Sequence, residues 1–69
     1  MASSIAKVTE ITAESDRDFD HAIQKGIERV CKTVDNVTGA WVQEMTLEVQ
    51  DGHISAYRVN MKVTFVLND

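Results

Sequence analysis

Between Ala56 and Leu67 the odd positions are all apolar (Tyr57, Val59, Met61, Val63, Phe65, Leu67), while Arg58, Asn60, Lys62 and Thr64 hold four of the even ones. A period of two sustained over that length predicts a long strand with one buried and one exposed face. A second long extended segment, residues 37–50, precedes it, and Asp51-Gly52 separates the two. Asp-Gly between strand-like runs predicts a two-residue hairpin, because a type I′ turn needs positive φ at both central positions.

Upstream the period changes. Phe19, Ala22, Ile23, Gly26, Ile27, Val30, Cys31 and Val34 recur at helical spacing and predict an amphipathic helix over 16–34. Ser15 is the expected N-cap, with Asp18 at the capping-box position. Asp16, Asp18 and Asp20 at the start and Lys32 near the end suit the helix dipole. Gly26 lies on the apolar stripe, where it costs about 1 kcal/mol against alanine. The expected return is close approach of the helix to the sheet. Residues 5–12 read as a short strand. The fold class is therefore α+β, in the order β-α-β-β: a three-stranded antiparallel sheet whose long hairpin partly wraps one helix, in a single domain spanning 1–69.

A two-residue turn at Asp51-Gly52 makes paired residue numbers sum to a constant. The expected rungs are Gln50 with His53, Leu47 with Ala56, Met45 with Arg58, Gln43 with Asn60 and Trp41 with Lys62. Between them fall Glu44 with Val59, Val42 with Met61, Ala40 with Val63 and Thr38 with Phe65. Cross-strand neighbours share a face. Ala40, Val42, Tyr57, Val59, Met61, Val63 and Phe65 are thus expected against the helix. Gly39, Trp41, Gln43, Met45, Leu47, Arg58, Asn60 and Lys62 are expected on the opposite face, as a subunit interface or a ligand face.

Length adds a constraint. The predicted helix spans roughly 28 Å at about 1.5 Å per residue, and strand 37–50 roughly 45 Å at about 3.3 Å per residue. The hairpin must overhang the helix, and a neighbouring subunit is expected to cover the excess. Composition agrees, since a chain of 69 residues with one cysteine and no zinc-spaced Cys/His cluster has only oligomerisation left as a supplement to a small core.

A net charge of −4 argues against nucleic acid and anionic membrane as partners. No apolar run approaches the roughly 20 residues of a membrane helix. Met1-Ala2-Ser3-Ser4 carries no charged segment leading into an apolar one. With an unpaired cysteine, the expectation is a cytoplasmic protein.

Candidate chemistry is sparse. Trp41 and Arg58 are the sharpest pair: an indole stacks on a flat ring, and a guanidinium binds carbonyl or phosphate oxygens. Their structural alternative is an interface tryptophan and an arginine paired with an acid. The alternating Asp16, Asp18 and Asp20 lack the glycine and distal glutamate of a calcium loop, and on a helix they diverge; dipole complementation is the expected role. A calcium site shared between subunits stays open. His21 and His53 are expected as solvated or interface residues and Cys31 as a small buried one. Glu44 and Glu48 share one strand face. No nucleophile, metal cluster or phosphate loop points to an enzyme.

The order β-α-β-β, the wrapped helix and the size resemble the dodecins, small proteins that assemble as hollow spheres of twelve subunits, many holding flavins. The resemblance runs through Ala6-Lys7-Val8-Thr9-Glu10-Ile11, Ser15, Phe19 with Ala22-Ile23, Thr33-Val34-Asp35-Asn36-Val37, and Tyr57-Arg58-Val59-Asn60-Met61-Lys62-Val63-Thr64-Phe65. It implies a homo-oligomer that stores a small aromatic ligand, flavin (riboflavin or FMN) first, between subunits. In flavin-binding members a tryptophan on the second strand stacks on the ring, and a glutamine after the third strand's aromatic residue bonds its polar edge. Those positions fall here on Gly39 and Arg58. Trp41, two residues on, shares a strand face with Gly39, displaced by roughly 7 Å. The cofactor-binding candidates are therefore Trp41, Arg58, Gln43 and Gly39. An arginine after the tyrosine is more like the calcium dodecins, so the alternative is a non-flavin shell that binds ions or another metabolite without catalysis.

Overall fold

A computed structural model describes residues 4–67. The first three residues of the N-terminal reading, and the last two of the 1–69 domain, lie outside the described residues. Strand β1 (Ala6–Ser15), helix α1 (Phe19–Cys31), strand β2 (Val37–Gln50) and strand β3 (His53–Val66) follow in the expected β-α-β-β order. They form one antiparallel sheet, ordered β1-β3-β2. The strand with the clearest alternation is thus the central one, paired on both sides.

The helix is shorter than its periodicity predicts. Asp18, extended at φ −170°, is the N-cap, and its carboxylate accepts the His21 N–H at 2.7 Å. Ser15, the expected cap, instead ends β1, which runs three residues beyond the predicted strand. Its buried hydroxyl accepts the Arg17 N–H at 2.9 Å and lies 2.6 Å from His21 Nδ1. The strand and the helix are tied together through that hydroxyl. Asp16 therefore lies outside the helix. At the other end Thr33 and Val34 close a turn, their N–H groups donating to Val30 O, and Asn36 at φ 62° turns the chain into β2. Cys31 falls off the buried stripe of Ala22, Gly26 and Val30 and is exposed, contrary to expectation.

Ala22, Val59 and Met61 form the centre of the core, with Ile11, Ala13, Phe19, Ile23, Ile27 and Val42 packed against it. Phe19 meets Tyr57 edge-on, with ring centroids 5.2 Å apart. The helix lies over β1 and β3. Gly26 makes that approach close: a Cβ there would sit 2.8 Å from Met61 Cε, 3.0 Å from Ala13 Cβ and 3.3 Å from Ile11 Cδ1.

The hairpin turn has the expected geometry, with φ of 53° at Asp51 and 78° at Gly52. Its register is interrupted. Gln50 pairs with His53, and Val42, Trp41 and Ala40 pair with Met61, Lys62 and Val63 as expected. Between these runs an extra residue in β3, Ser55, shifts the ladder by one, and an extra residue in β2, Gln43, shifts it back. Leu47 therefore opposes Tyr57, Thr46 opposes Arg58, Met45 opposes Val59, and Glu44 opposes Asn60. A third irregularity, at Thr38, leaves Val37 rather than Thr38 opposite Phe65. Because one step of register exchanges the faces, Met45 and Leu47 move to the helix side, while Glu44 and Glu48 move to the opposite face. This corrects the uniform register.

The molecule extends over 55 × 20 × 14 Å. A helix of 13 residues covers roughly 20 Å. The overhang is larger than the sequence implies, and Met45, Leu47, Val49 and Ile54 near the turn are exposed.

Two predictions follow from this packing. Gly26→Ala gains about 1 kcal/mol of helix propensity, but its methyl group meets Ala13 Cβ, which cannot move without the backbone. Overpacking of about 1–3 kcal/mol leads to net loss, so the urea midpoint falls, and falls further for Gly26→Val. A raised midpoint for Gly26→Ala would show that the helix lifts at no cost. Gln43, in its bulge, has a buried side-chain nitrogen, Nε2, with no hydrogen-bond partner among the described residues. An unmet buried donor costs about 1–3 kcal/mol, so Gln43→Met raises the midpoint; a drop would reveal an acceptor supplied by another subunit.

Candidate functional site

Among the described residues, no element packs on the sheet face turned away from the helix. Alternation places Val8, Glu10, Thr12 and Glu14 of β1 there, beside Arg58, Asn60, Lys62 and Thr64 of β3 and Gly39, Trp41, Glu44, Thr46 and Glu48 of β2. Trp41 is 66% exposed, a large apolar area left in water. It forms one wall of a concavity of about 490 Å³ lined by Val8, Glu10, Lys62 and Thr64. That volume is in the range of small-molecule sites.

Arg58 lies elsewhere on the face. Its Nε donates to Glu14 Oε1 at 2.9 Å, Nη2 donates to the same oxygen, and Nη2 lies 3.3 Å from Glu48 Oε2. One guanidinium thereby links all three strands. The hydrogen bond to Glu14, then its charge and then Glu48 raise the Arg58 pKa above its ordinary value. A raised cation pKa stabilises the fold at every pH below the unfolded value, and this is lost only as pH rises through the folded one. The guanidinium therefore keeps its charge at every pH at which a protein is ordinarily handled.

The four candidate binding residues separate into distinct environments. Trp41 opposes Lys62, whereas Arg58 is four residues along β3, roughly 13 Å at about 3.3 Å per residue. The structure does not bring Trp41 and Arg58 together. Gly39 opposes Thr64, and a Cβ built there meets nothing within 4 Å. Gln43 sits in the β2 bulge. Lys62 and Glu10, which sequence reasoning did not single out, line the concavity instead. Their signal was available for Lys62 in its predicted pairing with Trp41, but Glu10 needed the β1–β3 register.

The remaining candidates have local roles or open surroundings. Asp18 caps the helix and Asp20 lies in its first turn. His21 bonds Ser15, a contact that joins strand to helix. His53 is exposed beside the turn. Among the described residues no group of three or more His, Cys, Asp or Glu side chains is arranged to hold a metal ion. No described helix is long and apolar enough to cross a membrane.

Comparisons with known proteins agree with this architecture. The family model described as Dodecin matches residues 5–68. Dodecin from Streptomyces davaonensis is 34% identical, with a TM-score of 0.93 over 99% of this chain and 100% of that one. Dodecin from Streptomyces coelicolor, at 23% identity, superposes with a TM-score of 0.93 over 100% of this chain and 99% of that one, a likeness of fold. A calcium-chelating immunodominant antigen from Mycobacterium tuberculosis, calcium dodecin, is 29% identical with a TM-score of 0.81, over 94% and 93% of the two chains. Comparison with curated proteins finds no match. With the strand order, the helix and a family match over nearly its whole length, the chain belongs to the dodecins, small-molecule-binding proteins.

Proposed function

We propose that this dodecin assembles as a hollow cytoplasmic homo-oligomer of twelve subunits and sequesters a flat aromatic ligand of the flavin class, riboflavin or FMN, without catalysing a reaction. The observation that carries the reading is Trp41, two-thirds exposed at the wall of a concavity of about 490 Å³ on a sheet face that the described residues leave uncovered. Stacking on the indole, closed by a symmetry-related subunit, lowers the free ligand concentration. The apolar overhang of Met45, Leu47, Val49 and Ile54 supports assembly, since a patch of such residues is stable in water only when another surface covers it.

A second reading is a shell that binds calcium or another ion. Its support is the 29% identity to the calcium dodecin, together with glycine and arginine at Gly39 and Arg58. Acids of different subunits would supply the ligands, with Glu44 exposed on the open face as one source.

Native mass spectrometry with riboflavin titration tests the first reading. The expected mass is that of twelve subunits, and riboflavin fluorescence is quenched on binding. A stable monomer or dimer sinks the assembly; calcium uptake with no effect of riboflavin selects the second reading. Gly39→Trp projects into open space and adds a stacking surface, while Arg58→Gln removes the cation held by Glu14 and Glu48. The double variant is expected to bind riboflavin about fivefold or more tighter, since aromatic stacking contributes about 1 kcal/mol or more. Unchanged affinity would show that the ring does not lie along this row of β2.

A further inference from the structure

The open face is organised in rows across the three strands, and one row sets a cation and an acid, both outside any ion pair of the described residues, beside the exposed Trp41. In the row of Glu14, Arg58 and Thr46, the arginine is held by Glu14 and by Glu48. In the next, Asn60 Nδ2 donates to Thr12 Oγ1 at 3.2 Å. In the third, Lys62 stands between Glu10 on β1 and Trp41 on β2. Among the described residues the ion pairs within 4 Å are those of Arg58, so neither Lys62 nor Glu10 is in one. Both line the concavity that exposes the Trp41 ring.

Two inter-strand steps of about 4.8 Å make this row roughly 10 Å wide, the scale of a fused-ring ligand. An ammonium only donates hydrogen bonds and a carboxylate only accepts them. A ring stacked on Trp41 that satisfies both must present a carbonyl to Lys62 and an N–H to Glu10 on one edge. A phosphorylated group would satisfy the lysine but bring like charge against Glu10. The rest of the face offers no compensation, because its other cation is already held by two acids.

We propose that Lys62 and Glu10 are specificity-determining residues of the Trp41 site, which takes an uncharged planar ring with an N–H beside a carbonyl on its edge. This rests on the reading of Trp41 as a stacking surface. It goes beyond that reading by giving the polar edge to Lys62 and Glu10 rather than to Arg58.

The test compares riboflavin with 3-methylriboflavin, in which the ring-edge N–H is replaced, by fluorescence quenching on the full-length assembly. In the parent, the methyl analogue is expected to bind about tenfold more weakly, as loss of a hydrogen bond to a charged group implies. Glu10→Ala, at an exposed position, is expected to abolish the discrimination while Trp41 still stacks both ligands. Lys62→Met weakens both about equally, and Lys62→Arg restores part of the loss. Equal binding of the two ligands by the parent, or discrimination that survives Glu10→Ala, overturns this proposal and leaves the stacking reading in place. Riboflavin that fails to bind the parent, or binds Trp41→Ala unchanged in an intact oligomer, overturns both. Each variant is compared at the parent's assembly mass, so that loss of quenching reports the site.

Discussion

A single helix of 13 residues has to cover a sheet whose two longest strands have 14 residues each, and it reaches only part of it. It lies over β1 and β3, because the central strand offers the continuous apolar row of Val59, Met61 and Val63, all fully buried. Gly26 lets the helix axis come close enough for Met61 to fill the gap. What remains is a consequence of that coverage. Beyond Val42, which packs against the core, the hairpin tip and the far face of the sheet are without cover from the described residues. Apolar burial stabilises by roughly 25 cal/mol per Å², so the exposed apolar side chains at the hairpin tip are stabilisation that the chain's own helix does not collect.

The far face is shaped as much by its internal pairings as by its exposure. Glu14 and Glu48 close on Arg58 from the two edge strands, and Asn60 is held by Thr12. These contacts use hydrogen-bonding capacity that would otherwise be offered to a ligand, and they leave Lys62 as the open-face cation outside an ion pair among the described residues. Arg58, a binding candidate in the sequence, also ties the three strands together through Glu14 and Glu48. Exposed pairs of this kind contribute modestly to stability. Their larger consequence is to decide which charges remain available.

The bulges at Ser55 and Gln43 give this face its composition. Between them the β2 side chains exchange sides, so that Met45 and Leu47 join the apolar face and Glu44 and Glu48 the polar one. A uniform ladder would have put Glu44 opposite Val59 and Glu48 opposite Ser55, on the side of the helix. That conflict was visible in the alternation of Glu44-Met45-Thr46-Leu47-Glu48-Val49 against the hairpin register. Bulges resolve it at the cost of an unpaired residue each.

The sequence by itself determined the element order, the amphipathic helix, the hairpin turn and the place of Trp41 opposite Lys62. Those features depend on local periodicity and on backbone preferences at Asp51-Gly52, both carried by neighbouring residues. It also carried the close approach at Gly26 and the overhang of the hairpin beyond the helix, which follow from side-chain size and element length. Only the tertiary structure decided the helix start at Phe19, because Ser15 was drawn into β1 and its hydroxyl to Arg17 and His21. It alone joined Glu10 to the Trp41 concavity and committed Arg58 to Glu14, a partner 44 residues away. Such contacts are set by the pairing of β1 with β3, a long-range choice made by burial of a shared core rather than by any pattern within either strand.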